Sequence, residues 1–185
     1  MSVNARPKIA IDGYLTEQKL AEALKQIVGS SWGGSQLTVP GSKRRWDMWF
    51  RDGDLTGVVE YDGDEHYRNT LKIKADNEKD AVAREQGFKV VRVPYWVQLD
   101  TPMLKHWFGI DAVIEQAFPH GFISTKIFPA SYCAMGILRF ERELAALPEV
   151  VREAVIKSLR DRGEEHGAEY VVPMGIPTLP DQSLS

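Results

Sequence analysis

The chain has 185 residues, 43% hydrophobic and 26% charged, with a formal net charge of −3. That is ordinary globular composition, enough for one compact domain with an appended subdomain and a sizeable core. It excludes an overall basic protein and an apolar run long enough to cross a bilayer, and with Cys133 as the only cysteine it excludes an intrachain disulfide or a cysteine metal cage.

The N-terminal MSVNARPKIAIDGY has no apolar signal-peptide core, and a lone cysteine fits a reducing compartment, so a cytoplasmic protein is expected. An acidic total leaves room for a local basic face. Lys43, Arg44 and Arg45 form one basic run, and Arg68, Lys72, Lys74 and Lys79 another.

Residues 15–28, LTEQKLAEALKQIV, predict a helix: Leu20, Ala23, Leu24, Ile27 and Val28 make one apolar stripe, Thr16 caps it or opens its first turn, and Gly29 ends it. The Ser- and Gly-rich segment SSWGGSQLTVPGS reads as a loop with a short extended piece. RRWDMWF, 44–50, predicts a strand with Trp46, Met48 and Phe50 on one face. After the turn RDGDLTG, residues 57–62 predict a second strand, and the pair reads as a hairpin. Residues 74–86 predict a helix that Gly87 closes, and FKVVRVPYWVQL a third strand that Pro94 limits. Strand, helix, strand favours a parallel pair. Beyond Asp100 the sequence turns mainly helical, over 103–118, 134–147 and 149–165, with a proline-containing loop at 119–133 and an irregular tail from 171. The expected organisation is an α/β core over residues 1–100 and a helical extension over 101–185.

The informative stretch is VVEYDGDEH, residues 58–66, where an apolar run ends in Glu60, Asp62, Asp64, Glu65 and His66. On a strand, Glu60 and Asp62 share a face while Val59 and Tyr61 point to the core. Asp47, a residue type that strands disfavour, lies on the neighbouring strand and reaches the same face. Converging carboxylates repel unless a cation sits between them, and oxygen donors without cysteine suit Mg²⁺ or Mn²⁺. Gly63 allows a sharp turn that returns His66 to the strand end, where an imidazole can transfer a proton. Asp76, near the predicted start of the second helix, can orient it. Taken singly, each feature has a plainer reading: DGDE as an acidic turn, His66 as a surface histidine, Glu17 as a first-turn acid, Lys79 and Asp80 as a solvated helix face. Their joint arrangement outweighs those readings.

Thr16-Glu17-x-x-Leu20 on a helix, Asp47 on a strand, Glu60-x-Asp62-Gly63-x-x-His66, Asp76-x-x-Lys79-Asp80 and Gly87-Phe88-x-Val90-Val91-Arg92 follow in that order. Over residues 14 to about 97 this resembles the Vsr-like and E-D-x-H-D type endonucleases of the PD-(D/E)XK, restriction-endonuclease-like superfamily. The resemblance implies a mixed β-sheet flanked by helices and a Mg²⁺- or Mn²⁺-dependent endonuclease that hydrolyses DNA phosphodiesters. It implies Asp47 as the central metal ligand, Glu60 with Asp62 or the Tyr61 backbone carbonyl as the others, His66 for the water or the leaving group, and Glu17 and Asp76 as supporting acids of the catalytic site. Arg44, Arg45, Lys72 and Lys79 become the residues expected to contact nucleic acid. Lys79 stands where the family usually has Arg, and Asp62 where the wider superfamily has a lysine, so His66 or Lys79 has to supply that lysine's role. The cysteines of the family's structural zinc site are absent. The partner is DNA, with a homodimer or a larger defence or mobile-element assembly as further possibilities, and no membrane. The alternative is an inactive nuclease-fold module that binds DNA or protein.

Overall fold

The computed structural model describes residues 8–123 and 126–173. The tail read as irregular lies outside the described residues from 174 onward. Among the described residues no helix is long and apolar enough to cross a membrane.

The molecule is α/β, built on a mixed four-stranded sheet of order β2-β3-β4-β5. Its strands are β2 (Trp32–Thr38), β3 (Arg45–Asp52), β4 (Leu55–Asp62) and β5 (Lys89–Pro94). β2 and β4 run antiparallel to β3, while β5 is parallel to β4. The hairpin and the parallel crossover therefore form as their turn chemistry and strand–helix–strand order require. A second, two-stranded parallel sheet joins β1 (Lys8–Ile11) to β6 (Val113–Gln116).

Helix α1 (Glu17–Val28) starts where the Thr16 side chain accepts the Lys19 N–H and packs Leu20, Ala23 and Leu24 under the sheet with Met48, Phe50, Val59 and Val91. After the short α2 (Glu65–Arg68), helix α3 (Thr70–Glu85) covers the opposite face, where Ala83 packs with Trp46 and Val58. Helix α4 (Thr101–Phe108) adds Leu104 and Phe108 to the α1 side, so that core continues past residue 100. Helices α5 (Ala134–Ala146), α6 (Glu149–His166) and α7 (Ala168–Val171) enclose a second core around Trp96, Phe122, Phe140 and Val155, which also takes in Tyr67 and Tyr95. Burying a side chain the size of Phe140 stabilises by about 1.5–3 kcal/mol.

Four sequence expectations change. The extended piece of the Ser/Gly segment is longer than expected and forms the seven-residue strand β2, where Gly33 leaves room for the Trp49 ring, which a Cβ would overlap. The helix expected over 103–118 stops at Phe108, where Gly109 turns left-handed, and the chain re-enters as β6. Trp46 does not share a face with Met48 and Phe50: it packs with Val58 and Ala83 on the α3 side. The alternation breaks at Asp47, where β3 leaves β4. Helix α3 begins at Thr70, capped by Asn69, so Asp76 lies beyond the first turn that a helix dipole would stabilise.

Helix α5 seats against α2 at one close point. The Tyr67 carbonyl accepts from the Cys133 N–H at 3.1 Å, and a Cβ on Gly136 would collide with it. Gly136→Ala gains up to about 1 kcal/mol of helix propensity yet is expected to destabilise by about 1–3 kcal/mol through overpacking. Urea unfolding measures the sign, and a stabilised variant would contradict this packing.

Candidate active site

Strand β3 stays paired with β2 through Leu37–Trp46 and Thr38–Arg45, but its backbone ladder with β4 ends at Met48–Val59. Beyond that point side chains take over. The Asp47 N–H donates to Glu60 Oε1 at 3.1 Å, and the Tyr61 N–H donates to Asp47 Oδ2 at 2.9 Å. Two carboxylates thus hold open a fork between strands. Each satisfies a backbone donor that the splayed ladder would otherwise orphan.

Lys79 reaches the fork from α3. Its Nζ donates to Glu60 Oε2 at 2.6 Å and to the Arg45 carbonyl at 2.7 Å. Lys79 is 9% exposed, so it is neither on a solvated helix face nor at the surface. Burial, and then the Asp47 charge, push the Glu60 carboxyl up to about 7 despite Lys79. Glu17, at the start of α1, is raised by burial and by Asp47 as well. Tyr61 is raised to about 12 by burial and then by Glu17, while its hydroxyl donates to the Leu15 carbonyl at 2.9 Å. Glu17, Asp47 and Glu60 therefore share one field, in which Lys79 and, more weakly, Arg92 oppose the repulsion at Glu60.

Asp62 shares the β4 face with Glu60 but has other partners. It is fully buried. Arg92 Nη1 donates to its Oδ1 at 2.8 Å, and Arg139 Nη2 donates to its Oδ2. Arg92 also donates to Asp80 from Nε and Nη2, and Arg139 donates to Asp76 Oδ2 at 2.9 Å and to Glu143 Oε1 at 2.8 Å. Burial alone would raise Asp76, but the His66 hydrogen bond, Arg92 and Arg139 bring it down to about 2. Those cations, and not the helix end expected from sequence, stabilise its charge.

His66 sits against this network with Nδ1 at 2.6 Å from Asp76 Oδ2 and 3.0 Å from Asp62 Oδ1. Carboxylates only accept, so Nδ1 carries the proton and is the nitrogen held by the network, which leaves Nε2 as the ring nitrogen for proton transfer. The chain turns at Gly63 as expected, but without the left-handed φ that only glycine adopts easily. The His66 N–H bonds to the Gly63 carbonyl at 3.1 Å and the one-turn helix α2 brings the imidazole back. Asp62, His66 and Asp76 offer donor atoms within 4.8 Å of one another. Two guanidinium groups already compensate their charge.

Of the basic residues expected at nucleic acid, Arg45 and Lys72 are exposed, whereas Arg44 pairs with Glu78 at 2.9 Å. Arg139 was not among the site residues expected from sequence. Its signal was available: it lies on the Gly136–Phe140–Leu144 side of α5, where an apolar residue belongs. Comparisons with protein-family models, with curated proteins and with solved structures give no match.

Proposed function

We propose that the chain is a restriction-endonuclease-like, divalent-metal-dependent DNA endonuclease of the cytoplasm. The observation that carries this is the fork: an interrupted β-ladder that spends two carboxylates, Asp47 and Glu60, at one point and leaves them mutually repelling. That donor set fits Mg²⁺ or Mn²⁺, which want hard oxygens and tolerate water in the remaining positions. When bound, such a cation supplies Lewis acidity and charge neutralisation to a phosphodiester.

The protein's own groups supply the rest. Asp47 and Glu60 hold the cation, and the exposed Glu17 lends further negative charge to the fork's field. Lys79 steers Glu60 and fills the place of the lysine missing after it in sequence. His66, held against Asp62, the next residue after Glu60 on the same face of β4, takes a proton from water or returns one to the leaving oxygen at Nε2. Asp76 and Asp62 fix its tautomer, so Asp62 acts through His66 and its two arginines and not as a third ligand. The exposed Arg45 and Lys72 offer charge to the DNA backbone. Cleavage of both strands requires a homodimer or two sequential nicks. The second reading, a nuclease fold that binds DNA or protein without turnover, draws on Lys79, which already offsets one fork carboxylate.

Incubation of the protein with supercoiled plasmid and Mg²⁺ or Mn²⁺ tests the proposal. Metal-dependent nicking or linearisation is expected, and its absence across metals and DNA substrates favours the second reading.

A pH measurement probes the fork without any substrate. Burial and the Asp47 charge push the Glu60 carboxyl up to about 7 in the fold, from an ordinary value of about 4.5. The raised value means that the folded state holds this proton longer than the unfolded one. Its contribution, on the order of 3 kcal/mol, is present below about pH 4.5 and is lost as the pH rises through 7. In metal-free buffer the stability of the wild type relative to Glu60→Gln should therefore fall across that window. Added Mn²⁺ should restore it at high pH, whereas parallel pH profiles would remove the fork's electrostatic strain.

A further inference from the structure

We propose that Arg139, carried by the C-terminal helix α5, is a positioning residue that locks the His66 ring with its proton on Nδ1. This rests on the reading of His66 as the proton-transfer group. One guanidinium touches everything that holds the ring: Nη1 donates to the His66 carbonyl at 3.2 Å and to Asp76 Oδ2 at 2.9 Å, and Nη2 donates to Asp62 Oδ2. It thereby fixes the backbone that bears the imidazole and both carboxylates that flank Nδ1.

Arg139 is itself held from behind. Its Nε donates to Glu143 Oε1 at 2.8 Å, the Tyr67 hydroxyl donates to Glu143 Oε2 at 2.6 Å, and the guanidinium carbon lies 5.0 Å from the centre of the Tyr67 ring. Two carboxylates beside one imidazole repel each other; Arg92 holds Asp62 Oδ1 at 2.8 Å and stands 3.7 Å from Asp76 Oδ1, whereas Arg139 donates to the Oδ2 atoms of both aspartates and to the His66 carbonyl. A planar guanidinium with fixed donor directions holds both in place at once, which a lysine's single point charge cannot do. The chain beyond residue 100 thus completes the site.

The test uses the full chain and two readouts. Long-range ¹H–¹⁵N NMR of the His66 ring at about pH 8, where an ordinary imidazole is neutral, reports the tautomer. A single Nδ1–H form is expected in the wild type and a mixture in Arg139→Lys. Single-turnover plasmid cleavage should fall by about 10- to 100-fold in that variant, with the DNA dissociation constant changed by less than about twofold. Glu143→Gln keeps the guanidinium on both aspartates and loosens only its support. It should shift both readouts less, in the same direction, and it decides the question if Arg139→Lys does not fold. An unchanged Nδ1–H tautomer in the folded variants, or a cleavage loss that only follows DNA binding, overturns the proposal. An inactive wild type with a locked ring counts against the nuclease and for the lock. An active wild type with an unlocked ring counts the other way.

Discussion

Asp47→Asn is expected to remove divalent-cation binding at the fork and to slow metal-dependent DNA cleavage by at least about 1,000-fold, or about 4 kcal/mol in the barrier. The substitution isolates charge from architecture. Asn keeps an oxygen where Asp47 Oδ2 accepts the Tyr61 N–H, so the splayed strands retain their side-chain bridge. Alanine would orphan that donor at a cost of about 1–3 kcal/mol and confound the result. With the charge gone, one source of the upward push on Glu60 and Glu17 disappears. Metal-free stability should then hold or rise slightly. Calorimetric titration with Mn²⁺ and a single-turnover cleavage assay measure the two losses. Metal binding and cleavage both persisting at wild-type levels would show that the fork is a structural bridge and that the chemistry lies elsewhere.

The parts of this site that were legible in sequence are those whose residue type contradicts its local setting. Asp47 stands in a strand, Glu60 and Asp62 sit on alternate positions of a run that is otherwise apolar, and Asp76, Lys79 and Asp80 fall at helical spacing. Each misfit pointed to the same face, and the structure brings Asp47, Glu60 and Lys79 into one contact set. What stayed illegible was the division of labour. Periodicity puts Glu60 and Asp62 on one face but is silent on which cation each meets. Arg92 comes from the parallel strand and Arg139 from a helix 77 residues downstream of Asp62. Those separations are set by tertiary packing and leave no local pattern.

Similar physics explains the missed elements. β1 and β6 are four-residue strands about a hundred positions apart, too short for a periodic signal, and they form by pairing with each other and burying Ile9, Ile11 and Ile114 in the α1-side core. β2 is rich in the residues that usually mark loops, yet its Gly33 is what admits Trp49. In each case a tertiary contact overrides a local propensity.

Asp62→Asn is expected to act on stability and not on the metal. Asp62 is fully buried between Arg92 and Arg139, so losing its charge leaves two buried guanidinium groups short of a partner. Breaking a buried pair in this way costs about 3–5 kcal/mol, because the desolvation of the surviving charges is no longer offset. For a chain of this size that lowers the melting temperature by roughly 6–20 °C. Mn²⁺ affinity at the fork should change little while the protein remains folded. The compensated pair Asp62→Asn with Arg139→Met should be less destabilised than the sum of its parts, since it removes one orphaned charge with its former partner. Thermal melts and Mn²⁺ titrations of the single and double variants separate the two roles. If Asp62→Asn melts with the wild type and loses the metal instead, Asp62 is a third ligand beside Asp47 and Glu60, and the two arginines must yield to the cation when it binds.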